Sequence, residues 1–338
     1  MTVLSPTEPL FWMGGRLAYD LEEITHDPSS LDLPGFWAVT ATFEGEWTCA
    51  RFGKVIDAEL PRSEGGWEPI GESWRTSMPE SEYIKYVREI RDQISRGWVY
   101  QVNACRELST QFDNASLLPL MGQILEHNPA PFASYLRLPE IEIASASPEL
   151  FLQKAGNILT SAPIKGTKPP EQDDHEFGAK DTAENVMIVD LIRNDLGRIC
   201  ETGSVHVPRL LETQVHPGLS HLVSYVEGTL RKGTTWQQIS AALLPPGSVS
   251  GAPKSSAVAT ITDLEGQARG PYCGPLGWIE DGNALLSLAI RIFWTKREGT
   301  LHFGTGAGIT WGSDPDSEWE ETELKARRLI AIANGEIA

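Results

Sequence analysis

The sequence predicts an α+β fold built on large antiparallel sheets. Short apolar runs with period-two alternation are bounded by Gly and Pro, as in Phe11-Trp12-Met13-Gly14-Gly15, Phe36-Trp37-Ala38-Val39 and Trp47-Thr48-Cys49-Ala50. Strand runs of this kind are separated by isolated helical stripes. No internal repeat and no low-complexity linker interrupts them.

Taken in order, residues 1–75 read as a strand region, with an irregular connection at Glu64-Gly65-Gly66-Trp67-Glu68-Pro69. A helix begins near Met78-Pro79-Glu80, with Pro in its first turn. Tyr83, Ile84, Val87, Ile90 and Ile94 form its apolar stripe, and it ends near Gly97. Strands are expected at Trp98 to Cys105, Phe132 to Leu138 and Ile141 to Ala146, with a helix at Ser116 to Glu126 between the first two. A strand at Gly156 to Thr160 leads into the turn that presents Lys165, and a polar loop follows from Pro169 to Asp174. Asp181 to Arg198 reads as a helix with Val186, Val189, Ile192, Leu196 and Ile199 on one face. Strands near Val205 and at Leu219 to Glu227 precede a helix starting near Thr234-Thr235-Trp236. A Gly/Pro/Ser-rich segment, Pro245 to Lys254, is followed by strands at Cys273 to Glu280, Ala284 to Trp294 and Leu301 to Thr305. Ser317 to Ala333 closes the chain as a helix.

The 338 residues suffice for one large domain or two ordinary ones, and 41% apolar with 22% charged residues is a globular composition. No apolar run reaches the length of about eighteen that a membrane-spanning helix needs. The N-terminus lacks the basic and apolar regions of a secretory signal. Cys49, Cys105, Cys200 and Cys273 lie far apart and form no C-x-x-C pair, so they read as reduced thiols of a cytoplasmic protein. A formal charge of -18 argues against nucleic acid and anionic membranes as partners. An anionic substrate would need a local cation to reverse that field, and bound Mg²⁺ is the usual remedy.

Several residues are candidates for chemistry, each with a plainer reading beside it. Lys165 stands between Pro163 and Gly166 in Ser161-Ala162-Pro163-Ile164-Lys165-Gly166-Thr167, and is a presented amine or a solvated charge. Asp181/Glu184 and Glu318/Glu321 are two carboxylate pairs spaced i, i+3 near helix starts. They are acids favoured by a helix dipole or, if the helices face each other, oxygen ligands for a hard cation. Glu149, in Ser145-Ala146-Ser147-Pro148-Glu149-Leu150-Phe151, is a partly desolvated general acid or a surface acid in a turn. The glycines at 304, 306 and 308 permit a turn whose N–H groups point at an anion. Arg291, among the apolar residues Leu288 to Phe293, is a structural ion pair or a bidentate carboxylate clamp. His221 is more often a satisfied strand histidine than a catalyst.

Together these motifs resemble the chorismate-utilising family, the anthranilate, aminodeoxychorismate, isochorismate and salicylate synthases, over about residues 75 to 335. The resemblance rests on five ordered motifs. They are Ser145-x-Ser147-Pro148-Glu149, Pro163-Ile164-Lys165-Gly166-Thr167, and Ala183-Glu184-Asn185 running into Asp190-Leu191-Ile192-Arg193-Asn194-Asp195. The fourth is Pro246-Gly247-Ser248-Val249-Ser250-Gly251-Ala252-Pro253-Lys254, and the last is Gly306-Ala307-Gly308 followed by Glu318 and Glu321. The implied fold is two large antiparallel sheets packed together with helices outside. It divides into a shortened N-terminal strand region, 1–75, and a catalytic domain, 76–338. Gly14 to Asp20 resembles a glycine-rich strand that family members reach after a longer leading segment, part of a tryptophan pocket. The near absence of that segment predicts no tryptophan binding and a short sheet edge.

Lysine at the middle of Pro-Ile-x-Gly-Thr is similar to the aminodeoxychorismate-forming branch, where anthranilate-forming members carry alanine. Gln101 stands where isochorismate-type members place a lysine. The resemblance thus implies amination of chorismate to 4-amino-4-deoxychorismate for p-aminobenzoate and folate synthesis. Lys165 would be the nucleophile at ring C2, Glu149 the acid that protonates the departing C4 hydroxyl, and His221 a histidine near the ring. Gly166, Thr167, Tyr272, Arg291 and Gly306-Ala307-Gly308 would hold chorismate. Glu184 and Glu321 would bind Mg²⁺, with Asp181 and Glu318 as neighbours or water-mediated ligands. Nothing in the chain resembles a glutaminase, so a separate glutamine amidotransferase subunit would supply ammonia. An anthranilate synthase, an isochorismate or salicylate synthase, a non-catalytic binding homologue and a pyridoxal enzyme using Lys165 are the rival readings.

Overall fold

The computed structural model describes residues 8–63, 65–71, 73–168, 178–216 and 219–336, with the backbone alone at 167–168, 179–180, 215–216 and 219–221. The polar loop expected from Pro169 to Asp174 lies outside the described residues.

The N-terminal strands are β1 (Leu10–Met13), β2 (Arg16–Thr25), β3 (Phe36–Ala41), β4 (Trp47–Asp57) and the short β5 (Arg75–Thr76). Helix α1 (Glu80–Ser95) leads to β6 (Gln101–Gln111), and α2 (Leu118–His127) to β7 (Phe132–Arg137), β8 (Glu142–Ser147), β9 (Leu150–Ala155), β10 (Ile158–Ala162) and β11 (Ile164–Lys168). Helix α3 (Ala179–Gly197) precedes β12 (His206–His216) and β13 (Leu219–Thr229). Then come α4 (Trp236–Leu243), the single turn α5 (Gly247–Ser250), β14 (Gly251–Ala252) and α6 (Lys254–Glu265). The chain finishes with β15 (Pro275–Glu280), β16 (Asn283–Leu288), β17 (Ile292–Thr295), β18 (Thr300–Ile309) and α7 (Pro315–Ala333).

Every pairing is antiparallel, and the strands follow one another as a ladder. One half runs β6–β18–β17–β8–β7–β1. It continues through β2–β4–β3–β15–β16–β9–β10–β13–β12. The ladder folds back on itself, so the two halves face each other. Side-chain alternation makes this legible: in β3, Phe36 and Ala38 enter the cluster between the halves, whereas Trp37, Val39 and Ala41 enter a second cluster on the other face. β3 is buried on both faces, which is why all six of its residues are buried. In β1, Phe11 and Met13 point between the halves, and Leu10 and Trp12 point outward under α2 and α7. Helices α3 and α4 cover the outer face of the second half through Ile188, Val189, Ile192, Leu196, Trp236 and Ile239. The architecture is two antiparallel layers with helices on both outer faces. α1 and α6 add Tyr83, Val87, Ile90, Ala257 and Ile261 to the central cluster.

Several local expectations are corrected. The leading strand β1 is not a short edge, because it pairs with β2 on one side and β7 on the other. α1 buries Tyr86 and leaves Ile84 and Ile94 half-buried. In α3 Val186 is exposed and Ile188 takes its place in the core. α6 falls in a stretch where no helix was expected, and Gly266 ends it in the left-handed conformation (φ 66°). The run from Ala284 to Trp294 is two strands, broken at Ala289 to Arg291, where Arg291 itself has φ 54°. The glycines at 304, 306 and 308 form no turn. They lie inside the extended strand β18, opposite Glu107, Cys105 and Asn103 of β6.

Candidate active site

Lys165 is on a strand rather than in the expected turn. β11 pairs with β13, and the register slips between Lys165 and Thr167 around Gly166, whose φ of +77° only glycine adopts without strain. The bulge re-aims the lysine. Its Nζ donates to the main-chain oxygen of Ser248 at 3.1 Å, in the single turn α5.

Ser248 also holds Glu149. The carboxylic side chain lies in the two-residue link between β8 and β9, is 5% exposed, and accepts from Ser248 Oγ at 2.7 Å. Burial raises its pKa to about 7, against the lowering effects of Ser248, the Lys165 and Lys325 charges and the Ile164 N–H. A carboxyl poised there gives up a proton near neutral pH, which is what a general acid requires. Arg291 faces the same group. Burial lowers its pKa and the Glu149 charge raises it. Its backbone oxygen accepts from Ala146 N–H at 3.1 Å, fixing the break between β16 and β17 from which it projects.

The alternate glycines of β18 clear a strip on one face of that strand. A Cβ at Gly304 would sit 2.3 Å from the Tyr272 ring, and one at Gly306 would sit 2.7 Å from Cys105 Sγ. A Cβ at Gly308 would come within 2.6 Å of Gln101 Nε2, 3.4 Å of Glu184 Oε2 and 3.7 Å of Lys165 Nζ. The absence of a side chain at 308 thus lets α3, β11 and β6 converge on one point. Ala307, between them, turns its methyl into the core opposite Ala104. Tyr272 packs parallel to Trp294 at 6.4 Å, with its hydroxyl 3.9 Å from Cys105 Sγ.

Of the four acids expected to hold a metal, Glu184 reaches the Gly308 end of the strip. Glu321 reaches the Gly306 end through Lys325, whose Nζ is 2.7 Å from Glu321 Oε1 and 2.9 Å from the Gly306 oxygen. Those two glycines are roughly 7 Å apart along the strand. Glu318 is 2% exposed, and the Asp181 carboxylate is turned back toward Gly178 at the start of α3. α7 starts at Pro315, capped by Asp314, so Glu318 is in its first turn and Glu321 in its second. All four donors are carboxylate oxygens, the chemistry Mg²⁺ takes, with water and substrate oxygens completing its shell. They fit the ion by type but form no ready cage: among the described residues no group of three or more acids, histidines or cysteines is close enough to hold a metal.

His221 pairs through its backbone with Thr167 and Gln214, and its side chain, like that of Thr167, lies outside the described residues. Two contributors carry little signal in the sequence. Ser248 lies in the segment Pro246 to Lys254, where its residue type announces no role. Lys325 is announced only by its i, i+4 spacing from Glu321. Around Glu149 the structure therefore gathers three basic side chains, Lys165, Arg291 and Lys325, in a protein of net charge -18.

The sequence matches the family described as chorismate binding enzyme over residues 17–331. It is 38% identical over 292 residues to anthranilate synthase component 1 of Saccharolobus solfataricus, covering 82% of this chain and 69% of the relative. It is 37% identical over 268 residues to aminodeoxychorismate synthase component 1 of Klebsiella aerogenes, covering 76% of this chain and 59% of that protein's length. The fold is similar to anthranilate synthase component I from Streptococcus pneumoniae, with a TM-score of 0.79 and 23% identity over 97% of this chain and 91% of the other. The chain belongs to the chorismate binding enzyme family.

Proposed function

We propose that the chain is the chorismate-aminating component I of an aminodeoxychorismate synthase. Relatives of both aminating reactions match at nearly equal identity, so the proposal rests on one observation: the amine of Lys165 stands beside the buried acid Glu149. In this reading the neutral amine attacks ring C2, and Glu149 gives its proton to the C4 hydroxyl, which leaves as water while the ring double bond shifts. Ammonia then adds at C4, the double bond shifts back, and Lys165 is expelled with the proton returned through Glu149. Covalent catalysis of this kind divides one hard substitution into two easier ones. Arg291 and Lys325 would meet substrate carboxylates, and the glycine strip of β18 would let the ring lie against the strand. Glu184 and Glu321, with Asp181 and Glu318 beside them, would hold Mg²⁺, which when bound supplies positive charge facing a carboxylate. Ammonia would come from a separate glutaminase subunit, and the product would serve p-aminobenzoate synthesis.

Incubation with chorismate, ammonium and Mg²⁺, followed by mass and chromatographic identification of the product, tests the reading. 4-Amino-4-deoxychorismate supports it. Anthranilate would favour the second reading, for which the 38% identical Saccharolobus relative speaks.

A further inference from the structure

The ends of two sequence motifs meet in an ion pair behind the turn that carries Ser248. Lys254, at the start of α6, sends its Nζ to Asp195 Oδ2 at 2.6 Å and to the main-chain oxygen of Leu243 at 3.2 Å. The two side chains are 16% and 6% exposed. Burial raises the pKa of Asp195 and lowers that of Lys254, and each partner's charge opposes the change in the other. Nearby, Arg198 Nη1 donates to Ala242 O at 3.4 Å, so two cations satisfy carbonyls at the C-terminal end of α4. The pair thereby ties α3, α4 and the start of α6 together.

Between those elements lies the turn that carries Ser248. A Cβ at Gly247 would stand 2.8 Å from Leu191 Cδ2 and 3.8 Å from Asp195 Oδ2, so the turn rests directly on α3. Asp195, Gly247, Ser248, Ser161 and Glu149 line one small cavity, with about 20 Å³ open to a water-sized molecule. On its far side Arg269 Nη1 holds Val249 O at 2.8 Å. The turn is thus pinned from both ends, and between the pins Ser248 offers its hydroxyl to Glu149 and its carbonyl to Lys165.

We propose that the Asp195–Lys254 ion pair is a positioning device for the reacting groups, holding the Gly247–Ser250 turn so that Ser248 aligns Glu149 and Lys165. The inference rests on the reading of Glu149 as the acid. In that reading neither member of the pair is given a contact with substrate. Lys254→Met should lower kcat by roughly 100-fold, the scale of a displacement of about 1 Å. KM for chorismate should stay within about two-fold, because Arg291 and the β18 strip are untouched. Loss of the Ser248 hydrogen bond, which lowers the pKa of Glu149, should also move the high-pH limb of kcat upward. Lys254→Arg, which keeps the charge, should recover part of kcat. Asp195→Asn combined with Lys254→Met leaves no buried charge alone, so it carries the test if the single variant does not fold. A folded single or double variant with unchanged kcat and unchanged high-pH limb overturns the inference. Glu149→Gln separates the two ideas: if it keeps wild-type activity, the acid assignment itself fails, whatever Lys254 does.

Discussion

Replacing Glu149 with glutamine should make the protein more stable and less active, and the stability gain should depend on pH. The buried carboxyl titrates at about 7 where an ordinary glutamate titrates at 4.5. The folded state therefore holds this proton more tightly than the unfolded chain does. Below pH 4.5 both states are protonated and the group costs nothing by this route. As pH rises from 4.5 to 7 the unfolded chain ionises first, and stability falls. Above 7 the deficit levels off. A gap of roughly two and a half pH units corresponds to about 3 kcal/mol. Glutamine at 149 still accepts from Ser248 and carries no charge to bury. Thermal melting of wild type and Glu149→Gln at pH 5 and pH 8 should show a gain of a few degrees at pH 8, and a smaller one at pH 5. The same variant should lose about 10²- to 10⁴-fold in turnover, the range of a general acid. Equal melting differences at the two pH values would refute the argument that Glu149 is a desolvated acid.

Other consequences are as direct. Lys165→Ala should abolish most aminodeoxychorismate formation and shift what remains toward an anthranilate-type intermediate, read by chromatography; unchanged product and rate would leave Lys165 as a charge bonded to the Ser248 carbonyl and no more. Glu321→Gln should raise the Mg²⁺ concentration needed for half-maximal rate and weaken chorismate binding together, leaving the melting temperature intact; normal turnover at limiting Mg²⁺ would remove it from the metal site. Gly304→Ala would drive a methyl into the Tyr272 ring at 2.3 Å, so it should cost about 1–3 kcal/mol in urea unfolding.

Much of this architecture was legible because short apolar runs stop at turn residues. Phe11 to Met13 and Phe36 to Val39 lie within β1 and β3, which are buried at every position, and α3 and α7 were legible as helices. Three features were not legible, each because tertiary contact overrode local propensity. The α6 stretch is rich in β-branched residues (Val258, Thr260, Ile261, Thr262), and only the burial of Ala257, Thr260 and Ile261 at helical spacing holds it as a helix. Glycines at 304, 306 and 308 read as a turn, yet their period of two was the better signal: one face of a strand kept bare so that Tyr272, Gln101 and Glu184 can approach. Arg291 read as a strand residue, and only the register of β8 against β17 shows that it projects from a break. The site was named from chemistry-bearing residue types, whereas Ser248, which joins Glu149 to Lys165 partly through its backbone, had no such type to announce it.

In the proposed reaction Lys165 forms a bond to the substrate ring. Intact-protein mass spectrometry after incubation with chorismate and Mg²⁺, without ammonia, tests it most directly. The adduct is a secondary amine, so borohydride trapping would not report it. The expected result is added mass equal to chorismate less one water, mapping to the Lys165 peptide, absent in Lys165→Ala and discharged by ammonium. A protein that aminates chorismate at full rate but shows no added mass at Lys165 under these conditions would contradict it.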